Sequence, residues 1–137
     1  MGVLMTRATV TALVLVSGLA VTGGSLTPAA AKDDDDRREV ELSGSCSRAT
    51  DWELKAKERD GGLEVEFEVD SNRTGQRWAY RMSANGSQFA SGKRRTKGPS
   101  GSFSIERRTG AAAGSTAVTA RAQNLRSGEI CLATLSI

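Results

Sequence analysis

Cys46 and Cys131 are the only thiols in the sequence, and it contains no His. The missing imidazole removes the commonest general base, every Ser-His or Cys-His nucleophile pair and the usual zinc ligand. Two cysteines without a histidine cannot complete a four-ligand structural zinc site, so they are expected to bond to each other. A Ser-Lys nucleophile pair has no footing, because no Ser after residue 31 is followed three positions later by Lys. No Gly-rich phosphate loop stands between a strand and a helix. The expectation is a protein with no cofactor, no metal and no enzymatic activity.

Paired carboxylates are the one catalytic device that needs neither His nor metal, and they keep a glycan hydrolase open as an alternative. The candidates are Glu64, Glu66 and Glu68, which share one face of an extended segment. Neighbouring strands are expected to set Lys55, Lys57, Arg77 and Arg81 beside them. Cations would depress their pKa values, whereas a general acid needs a raised one. Cross-strand ion pairing is therefore the preferred account of this acidic strand.

Charge is unevenly divided. Residues 39–70 hold four Lys/Arg against ten Asp/Glu, and residues 71–137 hold eleven Lys/Arg against two Asp/Glu. Lys93, Arg94, Arg95, Lys97, Arg107 and Arg108 come from consecutive elements joined by Gly98-Pro99-Ser100-Gly101, which places them at one sheet edge. Two accounts compete for this patch. Cations on an exposed strand guard it against pairing with another chain. They also suit docking onto an anionic polymer of a cell envelope or onto a secreted or surface protein. Nucleic acid is the weakest partner, since Trp52, Trp78 and Tyr80 alternate with charged residues and are assigned to the core rather than to a stacking or sugar-binding surface.

The elements that position these residues have a period of two almost throughout. Trp52, Leu54 and Ala56 alternate with Glu53, Lys55 and Lys57; Leu63, Val65, Phe67 and Val69 with the three glutamates; Trp78, Tyr80 and Met82 with Arg77, Ala79 and Arg81. Asp60-Gly61 and Asn85-Gly86 are the dipeptides of tight type I′ hairpins. A two-residue loop at Asp60-Gly61 sets Trp52 opposite Val69, Leu54 opposite Phe67 and Ala56 opposite Val65, with Lys55 facing Glu66 and Lys57 facing Glu64 on the other side. A further hairpin pairing Asp70 with Arg77 would bring Phe67 to Tyr80, Val65 to Met82 and Glu66 to Arg81. The Asn85-Gly86 turn would place Phe89 opposite Met82. A one-residue slip would mix apolar and charged residues in every pair, so the expectation is an antiparallel meander from Asp51 to about Ser91.

Fainter strands follow around Phe103 and Ile105, around Val118, Ala120 and Ala122, and from Cys131 through Ala133 and Leu135 to Ile137, with an opening strand at Glu39 to Ser43. Seven or eight short strands describe an all-β, antiparallel β-sandwich over residues 39–137, immunoglobulin-like in size. The disulfide placement is not immunoglobulin-like, because Trp52 follows Cys46 by six residues and Cys131 belongs to the last strand. The bridge would close a loop of about 86 residues, for which the chain-entropy model gives roughly 4 to 5 kcal/mol.

Such a bridge presupposes an oxidising compartment. Arg7 supplies a positive n-region, Ala8 to Val21 an apolar h-region too short to span a bilayer, and Ala29-Ala30-Ala31 the small residues of a cleavage site. Residues 1–31 therefore read as a signal peptide cleaved after Ala31, leaving a secreted chain with no membrane span. Residues 32–38 (KDDDDRR) read as a charged, disordered tail. Asp33 to Asp36 lack the turn Gly and bidentate Glu of a loop-type calcium site.

From Cys46 through Asp51-Trp52-Glu53-Leu54, Leu63 to Asp70 (LEVEFEVD), Asn72-Arg73, Arg77-Trp78, Gly101-Ser102-Phe103 and Cys131, the chain resembles small exported proteins of high-GC Gram-positive (actinobacterial) bacteria. The resemblance covers most of the domain and implies a secreted β-sandwich, with no functional residues to carry over. The function expected from the residues is a monomeric, non-enzymatic exported domain docking through the basic Lys93 to Arg108 edge. An inhibitor or toxin-like protein acting through a protruding loop, Lys97 to Gly101 or Leu125 to Gly128, is the third possibility.

Overall fold

The computed structural model describes residues 37–137; the expected signal peptide and residues 32–36 of the tail lie outside the described residues. Eight strands follow one another: β1 (Glu39–Ser45), β2 (Asp51–Arg59), β3 (Gly62–Asp70), β4 (Arg77–Ala84), β5 (Ser87–Arg95), β6 (Ser102–Gly110), β7 (Ala117–Asn124) and β8 (Ile130–Ser136). They form two four-stranded antiparallel sheets, ordered β1-β2-β3-β6 and β5-β4-β7-β8. No helix among the described residues is long and apolar enough to cross a membrane.

The first hairpin carries the expected register, with Trp52 opposite Val69, Leu54 opposite Phe67, Lys55 opposite Glu66 and Lys57 opposite Glu64. Asp60 (φ 50°) and Gly61 (φ 81°), like Asn85 (φ 49°) and Gly86 (φ 84°), adopt the positive dihedrals that these hairpin turns require. The meander ends at Asp70. β3 pairs with β6 rather than β4, so Phe67 faces Ile105, Val65 faces Arg107 and Glu66 faces Glu106. β4 belongs to the other sheet, between β5 and β7. Ser71 to Gln76 is a six-residue crossing, too long for a tight hairpin, and its backbone bonds the β5–β6 connection: Ser71 N–H to Gly101 O, Gly75 N–H to Thr96 O and Thr96 N–H to Gln76 O. The expected Met82–Phe89 pair also shifts. A bulge at Met82/Ser83 sets Met82 opposite Ala90 and leaves Phe89 outside the ladder, half-buried.

The inward residues close one core between the sheets. Leu54, Val65, Phe67, Val69 and Ile105 on the first sheet meet Trp78, Met82, Val118, Ala122 and Leu135 on the second, all buried. Trp78 and Phe103 pack across the interface with ring centroids 6.2 Å apart. Full burial of each large apolar side chain contributes about 1.5 to 3 kcal/mol. Trp52, at the end of β2, is only half-buried and lies over Gly44, where a Cβ would stand 2.6 Å from its ring.

The strand directions gather four loops at one end: 46–50, 71–76, 96–101 and 125–129. The Cys46–Cys131 bridge (Cα–Cα 4.2 Å) ties the chain leaving β1 to β8, and hence one sheet to the other. Glu129 reinforces it. Its buried carboxylate accepts the backbone N–H groups of Arg48 and Thr50, both at 3.0 Å, and the Thr50 hydroxyl at 2.8 Å. At the opposite end Arg38, assigned from sequence to the free tail, pairs with Glu58 at 2.7 Å and accepts the Glu58 N–H.

Candidate functional site

The two outer faces follow from the registers. On the first sheet the outward positions are Glu39, Glu41, Asp51, Glu53, Lys55, Lys57, Arg59, Glu64, Glu66, Glu68, Asp70, Glu106 and Arg108, with Ser at 43, 45, 102 and 104 and Gly at 62 and 110. Its cations are occupied. Lys55 lies 3.5 Å from Glu41 and 3.8 Å from Glu66, Lys57 3.8 Å from Glu39, and Arg59 and Arg108 both reach Glu64. Partial burial lowers the Lys55 pKa, but the carboxylates of Glu41 and Glu66 more than offset this and hold it above the ordinary value.

Glu68 departs from the expected pairing. It stands opposite Glu53 on β2 and Ser104 on β6, since Arg77 and Arg81 are on the other sheet. Its tip is exposed, but the neighbouring strands remove part of its water, and Glu53, Asp70 and Glu66 add like charge, so its pKa is raised. Asp51, Glu53, Glu68 and Asp70 line a concavity of about 430 Å³ with Ser43, Gly44, Ser45 and Trp52. Among the described residues no group of His, Cys, Asp or Glu is arranged to hold a metal ion.

The outer face of the second sheet is of opposite kind. Trp78, Tyr80 and Met82 point inward from β4, so Arg77, Ala79, Arg81 and Ser83 point outward; their neighbours are Arg95, Lys93 and Ser91 on β5 and Gln123, Arg121 and Thr119 on β7. β8 completes the face with Ile130, Leu132, Thr134 and Ser136. Five cations, Arg77, Arg81, Lys93, Arg95 and Arg121, share this surface with no carboxylate on any of its strands. Arg77 stands opposite Arg95, and Arg81 opposite Arg121. None of the five takes part in an ion pair among the described residues.

The six basic residues picked out from sequence lie along one lateral side, where edge strands β5 and β6 approach each other, but they divide over several surfaces. Lys93 and Arg95 belong to the basic outer face. Arg94 turns inward with its guanidinium 5.4 Å from the Tyr80 ring centroid, and Arg107 approaches the Tyr80 hydroxyl at 3.5 Å, so these two close the side of the core. Arg108 is on the acidic face, paired with Asp60 and Glu64. Lys97 is exposed on the β5–β6 connection, whose backbone bonds to Ser102. The two candidate inhibitory loops, Lys97 to Gly101 and Leu125 to Gly128, both lie at the disulfide end. Leu125 is exposed there, while Asn124 Oδ1 caps its turn by accepting Arg126 and Ser127 N–H.

Sequence reading missed Arg77, Arg81 and Arg121 as members of one surface. Their signal was present, because each alternates with buried residues of its own strand. No family model, curated protein or solved structure matches this chain.

Proposed function

We propose that this is a non-enzymatic, exported domain that binds an anionic polymer of the cell envelope through the outer face of the β5-β4-β7-β8 sheet. The supporting observation is the position of the cations. Edge protection explains Lys93 and Arg95 on β5, but Arg77, Arg81 and Arg121 stand on β4 and β7, which are central strands with no free edge to guard. Arginines placed directly opposite one another repel and cost stability, so a surface built of them favours a ligand that brings the missing negative charge. The disulfide accords with an oxidising compartment. Glu64 and Glu66 are ion-paired, which accords with a non-catalytic role, whereas Glu68, with its raised pKa beside Glu53 and Asp70, is the feature that favours the glycan-hydrolase alternative.

Retention of the purified protein on immobilised polygalacturonate or dextran sulfate tests the reading. Affinity should fall with salt with a log–log slope of roughly 3 to 4 for five contacts, as counterion release gives for a flexible anionic chain. R81A/R121A should lower the affinity at least tenfold, while K55A/K57A on the opposite sheet should not lower it. Equal loss in both variants, or binding indifferent to salt, overturns the proposal.

A further inference from the structure

At the disulfide end the basic face runs into a concavity of about 640 Å³ lined by Arg73, Thr74, Gly75, Gln76, Arg77, Asn124, Leu125, Arg126 and Ser127. A second hollow of about 200 Å³ shares Arg73, Gln76 and Ser127 with it and adds Arg48, Ala49, Thr50, Ser71 and Glu129. Arg77 belongs both to the flat face and to the larger hollow.

The chemistry of this groove is one-sided. Arg48, Arg73, Arg77 and Arg126 contribute four guanidiniums, and none makes an ion pair among the described residues. Its one carboxylate, Glu129, is consumed by the three hydrogen bonds that hold residues 48–50. The groove is also built. Gly101 (φ 82°) lets the backbone of residues 72–73 approach so closely that a Cβ there would stand 2.2 Å from Arg73 N. Asn124 holds the turn that carries Arg126. Gln76 Oε1 accepts the Trp78 indole N–H at 3.4 Å, leaving the amide nitrogen as a donor. Planar guanidiniums match carboxylate, sulfate and phosphate oxygens two at a time, while the hydroxyls of Thr74 and Ser127 and the Gln76 amide suit sugar hydroxyls. The volume lies within the range of sites for small ligands.

We propose that this groove holds one acidic sugar unit, its anionic group taken by Arg73, Arg77 and Arg126. The inference rests on the domain's being an anion binder and deepens it. The flat face supplies multivalent attraction, and the groove supplies a saturable site for a single residue of the polymer.

Calorimetric titration of the purified protein with free glucuronic acid, glucose and sodium sulfate tests it. Glucuronate should bind one to one with a millimolar Kd, glucose should not bind, and sulfate should bind more weakly than glucuronate. R73A/R126A should lower glucuronate affinity at least tenfold with an unchanged Tm, and R73K/R126K, which keeps the charge but not the fork, should remain weakened. R81A/R121A should leave glucuronate binding intact while it lowers polymer retention, so the face and the groove fail separately. No saturable binding of glucuronate, sulfate as tight as glucuronate, or an unaffected R73A/R126A overturns the proposal.

Discussion

The two outer faces of this sandwich are built on the same backbone and treat charge in opposite ways. On the β1-β2-β3-β6 face every cation is paired, Lys55, Lys57, Arg59 and Arg108 each lying within 4.0 Å of a carboxylate, while the surplus carboxylates face one another, Asp51 opposite Asp70, Glu53 opposite Glu68 and Glu66 opposite Glu106. On the β5-β4-β7-β8 face only cations occur, with Arg facing Arg. Exposed ion pairs contribute little, about 0 to 1 kcal/mol each, but they leave no cation of the first face free for an anionic ligand. The second is left with repulsion that nothing on the face relieves. A face whose cations are already paired offers little to an anionic ligand, whereas one whose cations are free gains most from it.

The largest effect is expected at the frame that holds the faces back to back. C46A/C131A should cost up to about 4 to 5 kcal/mol of unfolding free energy in urea, the chain-entropy figure for so long a loop, because the bridge ties the two sheets covalently. G101A should follow with a loss of at least about 2 kcal/mol, since alanine disfavours positive φ and its Cβ would collide with backbone at Arg73. That variant should also weaken glucuronate binding, and binding at wild-type affinity would separate the groove from its proposed support.

Smaller effects are expected from the charges of the two faces. R81A/R121A should raise stability by up to about 1 kcal/mol while lowering polymer affinity, because removing like charges placed opposite each other relieves repulsion. K55A/K57A should slightly lower stability and leave polymer affinity unchanged. If R81A/R121A destabilises the protein in thermal melts, the arginines are not repelling each other and the contrast collapses.

The smallest effect concerns Glu68, one of the carboxylates on the first face that stand opposite another carboxylate. Its folded-state pKa is raised, so its charged form disfavours the folded state above that pKa and the penalty disappears as pH falls through it. E68Q should therefore stabilise the protein by a few tenths of a kcal/mol at pH 7, and the gain should fade with acid and vanish toward about pH 3, where the wild-type carboxyl is protonated in both states. Melts of both proteins across pH 3 to 8 would show the difference shrinking with acid. Glu58, whose pKa is lowered by its hydrogen bond from Arg38, has the opposite sign, and E58Q should lose stability at neutral pH but not in acid.

Legibility from sequence followed the range of each signal. Asp60-Gly61 is a two-residue signal whose register propagates by alternation, so every pair of the first hairpin follows from the order of residues alone. The partner of β3 does not. Alternation says which side chains share a face but not which strand lies alongside, and a hydrophobic row fits β4 as well as β6. The sequence clue was the length of Ser71 to Gln76, six residues, which suits a crossing between sheets rather than a tight hairpin. Phe89 was misplaced because a bulge adds one residue with no local mark in composition. The basic cluster was legible as a cluster but not as a geometry. Lys93, Arg94 and Arg95 are consecutive in a strand, so the middle one must point away from its neighbours. Arg73 and Arg126 lie in loops, where no period announces a shared groove.

The placement of the bridge has a mechanical consequence. Cys46 lies one residue beyond β1 and Cys131 is the second residue of β8, 85 positions apart in sequence. A pull applied between residue 38 and residue 137 is therefore carried by a covalent bond as soon as β1 and the rest of β8 give way. Strands β2 to β7, which carry the basic face, are shielded from that load. A domain pulled between those two points would keep β2 to β7 folded while its ends stretched.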